Sequence, residues 1–312
     1  MPPASFALFL GLSVTALSTC AAGLAVLVIG LLAARKEIGQ ARGIDKIVAL
    51  THVCFAAPLA VFGAEHLSSP TSLLPLVPSY MPWRMFWVYF VGIALIAAAL
   101  SIATQIQVRW SGLLVGIMML LFVAMLYLPG ALRSGARITW TIVFRESSFG
   151  GAGWVLAGIA MGGDRSVSGK TLIRIGRVLI GLAAVFFGIQ HFLHPLGLPA
   201  VPLQRQMPTW IPAREFIDYV TGAFLIVAGA CFMLSRKTRL AGTYLGAWVV
   251  FLVVVMYGPV MIGALMDPNP AAQVEGVNYF ADTLLFGGVI LSVAAAGACR
   301  AGKATDSSFS AS

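Results

Sequence analysis

A chain of 312 residues that is 59% hydrophobic and 10% charged is excluded as an ordinary water-soluble enzyme, because apolar runs near or above about 18 residues recur along it. Its net charge of +9 is not carried by basic runs interleaved with aromatics, so the charge points to anionic lipid headgroups and not to nucleic acid.

Taken in chain order, the apolar runs predict about nine transmembrane helices near residues 6–33, 47–67, 84–104, 110–130, 139–161, 173–193, 214–234, 240–262 and 279–299. The first reads as a retained helix, since Met1 to Leu10 holds no Lys or Arg and the run is too long for a signal-peptide core. Fourteen Lys and Arg residues fall in the loops after spans one, three, five and seven and in the tail, against six on the other face. The positive-inside rule therefore puts the N-terminus outside and the C-terminus in the cytoplasm. Cys20, Cys54, Cys231 and Cys299 stand singly in apolar runs and read as small buried hydrophobes.

After the first span the sequence is written twice. Phe62-Gly63-Ala64-Glu65-His66 with Pro70 returns 125 residues later as Phe187-Gly188-Ile189-Gln190-His191 with Pro195. Past a loop five residues longer in the second copy, Pro78, Pro82, Tyr89, Gly92, Gly112, Gly116, Tyr127 and Pro129 recur at an offset of 130. Four spans per copy return the chain to its starting side, which predicts an all-α polytopic fold: one N-terminal helix and two parallel four-helix bundle repeats. The expected divisions are 1–45 for the N-terminal helix and its loop, 46–165 and 166–303 for the two modules, and 304–312 for a cytoplasmic tail.

Polar groups are costly in hydrocarbon, and here they gather at the extracytoplasmic end. Glu65 and His66 close span two; Gln190, His191 and His194 close span six; Arg145 and Glu146 open span five; Asp218 and Tyr219 open span seven; Asp282 opens span nine. In each copy a His and an acid share one depth, which predicts the pairs His66 with Glu146 and His191 with Asp282. Such a pair either orients a proton-handling imidazole or latches helix ends together. Glu65, Gln190, Tyr89 and Tyr219 complete the candidate ligand-binding set. No metal site is expected, and His52, about 21 Å along a helix from His66, cannot share a haem iron with it. The proline-rich loops 70–82 and 195–212 predict stiff lids over the bundle mouth, with Tyr80, Trp83, Trp87 and Trp210 as an interfacial aromatic belt. Gly112-xxx-Gly116 and Gly242-xxx-Gly246 read as helix-packing faces, and Tyr127 and Tyr257 as snorkelling phenols at helix ends.

The pattern Gly63-xx-His66-xxx-Pro70, Val77-Pro78-xxx-Pro82 and Tyr89-xx-Gly92, with its second copy at Gly188-xx-His191-xxx-Pro195, Pro208-xxx-Pro212 and Tyr219-xx-Gly222, resembles the DoxX-like family of four-helix membrane proteins. Two such matches cover nearly everything after span one. The resemblance implies a four-helix bundle per module in a bacterial-type cytoplasmic (inner) membrane, and an association with quinone-linked oxidation or oxidative-stress complexes.

These readings converge on an oxidoreductase subunit: an integral-membrane part of a quinone-linked redox system, binding quinone near the extracytoplasmic face, with haem as the lesser cofactor alternative. The chain has no nucleotide fingerprint, nucleophile triad or cysteine cluster, so electrons would come from a redox partner subunit. The alternatives are a small-molecule permease or carrier, and a non-catalytic assembly factor.

Overall fold

The computed structural model describes residues 11–309, the side chains of Asp164 and of 299–309 excepted. The first residues of span one (6–10), the last three of the expected tail, and the side chains of Cys299, Arg300 and Lys303 therefore lie outside the described residues. The described chain is helical, with no strand and one isolated antiparallel bridge, Gly197 to Gln206. It is a polytopic helical membrane protein.

The long helices are α1 (Val14–Gln40), α3 (Thr51–Ser68), α5 (Arg84–Ala103), α6 (Val108–Phe122), α8 (Arg137–Ala160), α9 (Val167–Leu193), α10 (Arg214–Met233), α11 (Thr238–Leu252) and α13 (Pro270–Phe309). Short helices α2 (Asp45–Val48), α4 (Pro70–Leu73), α7 (Leu128–Ser134) and α12 (Gly258–Leu265) sit between them. Hydroxyls start two of the long ones: Ser13 caps α1 by accepting from the Ala16 amide, and Ser166 caps α9 by accepting from Gly169. Seven helical stretches among the described residues are long and apolar enough to cross a membrane: α1, α5, α6 with α7, α9, α10, α11 with α12, and α13 to Ala298. The expected spans 47–67 and 139–161 are helical, as α3 and α8, but fall outside that set of seven. Their composition has a packing reason. Both lie inside the bundle, where α3 touches α1, α5 and α13, and α8 touches α6, α9 and α13. A helix walled by protein can carry Glu65, His66, Arg145 and Glu146, which lipid would reject.

Several backbone details recur 130 residues apart. α5 and α10 both end in a Schellman turn: Ile106 N donates to Ser101 O, and Arg236 N to Cys231 O, each at 3.0 Å. Both turns force non-glycine residues into the left-handed region, Gln105 and Gln107 in one and Ser235 and Lys237 in the other. π-Helical segments follow at Val123–Tyr127 and Val253–Tyr257. Each stands before a proline, Pro129 or Pro259, whose ring removes an amide and crowds the carbonyl four residues back, so the helix widens there. Arg84 Nε donates to Val77 O at 3.0 Å, and Arg214 Nη1 to Met207 O at 3.3 Å, tying each proline loop to the following helix.

Small residues set the helix pairing. A Cβ added to Gly112 would run into the backbone of Gly153 and Ala157 on α8, and one on Gly242 into Ala294 on α13. The same holds between Gly63 and α5 and between Gly188 and α10. Backbones thus approach closely at each of these crossings, as the glycine spacing predicts. Two pairings depart from a self-contained bundle. α3 packs on α13 and α9 on α8, so the first helix of each sequence copy lies against the fourth helix of the other. The core, including Phe55, Leu59, Phe149, Ile180, Phe187, Phe286 and Ile290, runs across that junction.

Candidate functional site

At the proline-loop end of the bundle, α8 and α13 bring three charges together. Arg145 Nη1 donates to Asp282 Oδ2 at 2.7 Å, while its Nε and Nη2 donate to Glu146 Oε1 at 3.2 and 2.7 Å. All three side chains are at most 16% exposed. A guanidinium has five N–H groups, and three are committed here, so two remain. The other oxygens of Glu146 and Asp282 accept no hydrogen bond among the described residues. The Arg145 guanidinium also lies 5.9 Å from the centre of the Phe149 ring.

Beside this triad, Asn278 Nδ2 donates to Glu65 Oε1 at 3.2 Å, joining α13 to α3. His66, the next residue, has Nδ1 2.7 Å from Phe62 O. Nδ1 must be the donor in that contact, because a carbonyl only accepts. That leaves Nε2 of a neutral, half-buried imidazole as an acceptor.

The His191 side is built differently. His191 Nδ1 stands 2.9 Å from Asp218 Oδ1, with the residues 1% and 0% exposed. The contact has ion-pair distance but not hydrogen-bond alignment, so His191 Nε2 and both Asp218 oxygens are buried without a hydrogen bond among the described residues. Gln190 Oε1 is buried without one as well. Around the pair, Trp248 Nε1 donates to Thr221 Oγ1 at 2.9 Å, and Tyr257 donates to Pro199 O at 2.6 Å. Leu198, Met207 and Ile211 of the second proline loop form a separate buried apolar cluster with Leu252, Met256 and Tyr257.

The structure thus replaces both expected His–acid pairs. Glu146 and Asp282 meet each other's helix through Arg145, and His191 meets Asp218 instead of Asp282. The cause is the helix order: α3 does not face α8, and α9 faces α10 along the side that carries Asp218. Tyr89 is exposed, and Tyr219 stacks on Phe192 with ring centres 5.6 Å apart. Neither Tyr joins the charged triad. Tyr257, expected as a snorkelling phenol, is instead fully buried and anchors the loop. The pairing role of Asp218 was missed although one signal was available, an acid in an apolar helix where the first copy has Val88. Arg145 is similar: Glu146 corresponds to Asp282, 136 residues on, and the position that then matches Arg145 holds Ala281.

The proline loops also differ. The second one turns inward, burying Leu198, Ala200, Val201, Met207 and Ile211, and Arg137 of α8 donates to its Pro202 and Leu203 carbonyls at 3.0 and 3.4 Å. The first leaves Leu76, Tyr80 and Trp83 exposed. Among the described residues no group of three or more His, Cys, Asp or Glu side chains is arranged to hold a metal ion. Cys54 is buried, and Cys20 and Cys231 are free and partly covered. No protein-family model matches this chain, and searches of curated proteins and of solved structures return no match.

Proposed function

We propose that the chain is an integral-membrane subunit of a quinone-linked redox system, built as two fused parallel four-helix modules of DoxX-like type after an N-terminal helix, nine spans in all. The features recurring at an offset of 130 support the two modules, and the burial of α3 and α8 accounts for their polar composition. Its orientation is N-terminus extracytoplasmic and C-terminus cytoplasmic, on the distribution of Lys and Arg.

One observation carries the functional reading: a buried arginine with two uncommitted donors, held between two carboxylates that each keep a free oxygen. A quinone carbonyl only accepts hydrogen bonds, whereas a quinol hydroxyl also donates. Arg145 serves the first state, and Glu146 and Asp282 serve the second as proton acceptors. His66, with Nε2 accepting, is the group that meets a quinol hydroxyl. A bound quinone would supply the two-electron chemistry, and a partner subunit the electron donor or acceptor. The residues of this chain orient the ring and hold its protons.

The test is quinone binding by the full chain purified in mild detergent, read by extraction with mass spectrometry and by titration with a short-chain quinone. Stoichiometric binding that weakens at least about tenfold in Arg145→Lys, which keeps the charge but loses the fork, is expected. A protein that neither carries nor takes up quinone sinks the reading.

A carrier is the second reading. The π-helical interruptions beside each polar cluster favour it, since helices broken next to buried polar groups are how many transporters build sites. Uptake of small weak acids by sealed vesicles would separate it from the first.

A further inference from the structure

The opposite, basic end of the bundle holds a groove of about 650 Å³ between α2, the α10–α11 turn, α11 and α13. Its lining is mixed: Lys237, Thr238 and Arg239 supply a basic, polar part, the rim, and Ile44, Leu240 and Tyr244 an apolar part, the wall. Leu240 and Tyr244 are also exposed on the outer surface of α11, so that wall is continuous with the surface that meets acyl chains. Lys237 is exposed and makes no ion pair among the described residues. Arg239 Nη2 donates to Asp45 Oδ2 at 3.0 Å, but both side chains are nearly half exposed. An exposed pair of this kind contributes little and yields readily to a competing anion. No side chain caps the start of α11, so its first amides add partial positive charge at the same rim.

We propose that this groove seats the phosphodiester head group of an anionic glycerophospholipid, with Lys237 and Arg239 on the phosphate and the acyl chains along Leu240 and Tyr244. The commitment to a lipid follows from the mixed lining of the groove and the exposure of Leu240 and Tyr244: a free phosphate ion would use the rim and leave the apolar wall idle. The assignment is independent of quinone binding and rests only on the basic end lying in a headgroup layer. It also explains a difference at the matching turn of the first copy, where Gln107 stands in place of Lys237.

Native mass spectrometry of the full chain tests it, with phosphatidylglycerol, phosphatidylcholine of the same chains, and inorganic phosphate as probes. One equivalent of phosphatidylglycerol should be retained in preference to phosphatidylcholine. Lys237→Gln, which disturbs no packing, should reduce that preference about fivefold, and Lys237→Gln with Arg239→Gln further. Arg109→Gln, the counterpart of Arg239 in the first copy, should leave it unchanged. Equal retention of both lipids, an unaltered preference in Lys237→Gln, or an equal loss in Arg109→Gln would overturn the site. Displacement of the lipid by millimolar inorganic phosphate would reassign it to a soluble anion and overturn the lipid proposal too.

Discussion

His66 and His191 hold matching places in the duplicated sequence, yet one is half-buried and the other is 1% exposed. Two changes produce the difference. The second proline loop is five residues longer, and it turns inward so that Pro199 accepts from Tyr257 and Arg137 clamps Pro202 and Leu203. Val88 is replaced by Asp218, which places a carboxylate 2.9 Å from the imidazole. The same helix scaffold therefore presents a reachable acceptor on one side and an inward-facing polar pair on the other. The Arg145 triad lies where the two halves meet.

The largest effect is expected at that meeting point. Arg145→Leu leaves Glu146 and Asp282 facing each other in a bundle interior, and breaking a buried pair in this way costs about 3–5 kcal/mol. Thermal unfolding in detergent should show a deep loss of stability, or no monodisperse protein at all. Adding Glu146→Gln and Asp282→Asn should recover most of it by removing the stranded charge. If Arg145→Leu alone is as stable as wild type, the triad does not join the halves.

Next comes the His191 side. Asp218→Val restores the residue type of the first copy but strands His191 without its carboxylate, at a cost of about 1–3 kcal/mol. The same unfolding assay checks it, and a neutral outcome would mean that the His191 side is no more specialised than the His66 side. A smaller contrast is expected between two equivalent tyrosines. Tyr257→Phe removes the hydroxyl that holds Pro199 and should cost about 1 kcal/mol. Tyr127 makes no hydrogen bond through its hydroxyl among the described residues, although it faces the charges of Arg145, Glu146 and Asp282, so Tyr127→Phe should cost less than Tyr257→Phe. Equal losses from the two would erase the proposed asymmetry of the loops.

How much of this was legible in the sequence follows from what a helical sequence encodes. Hydropathy and charge give depth, so the gathering of Glu65, His66, Arg145, Glu146, His191 and Asp282 at one end could be read directly. The glycine spacings imply close crossings, and the structure packs Gly112 of α6 against α8 and Gly242 of α11 against α13. Azimuth and helix order are another matter. A duplicated sequence invites the assumption that each module closes on itself, but α3 packs on α13 and α9 on α8. Both expected His–acid pairs fail on that point, since residues at one depth meet only when their helices are neighbours and their side chains share a face. The polar composition of α3 and α8 misleads in the same way, because hydropathy treats every helix as though lipid surrounded it.

The sharpest use of the comparison separates binding from stability. If the His66 side meets the ligand, His66→Leu removes the Nε2 acceptor while its helix stays packed through Gly63 against α5. Quinol affinity, titrated with the reduced short-chain compound, should then fall about five- to tenfold with little change in quinone affinity or unfolding temperature, the loss of one hydrogen bond of ordinary strength to a bound group. His191→Gln should do the reverse. Its imidazole is 1% exposed and faces Asp218, so the replacement should lower stability and leave quinol affinity within about twofold, provided the fraction that remains folded is titrated. Equal binding defects would mean that the His191 side opens to ligand and that the two sides are functionally equivalent. Binding untouched by either substitution would remove both histidines from the site and leave Arg145, Glu146 and Asp282, with Glu65 beside them, to carry it.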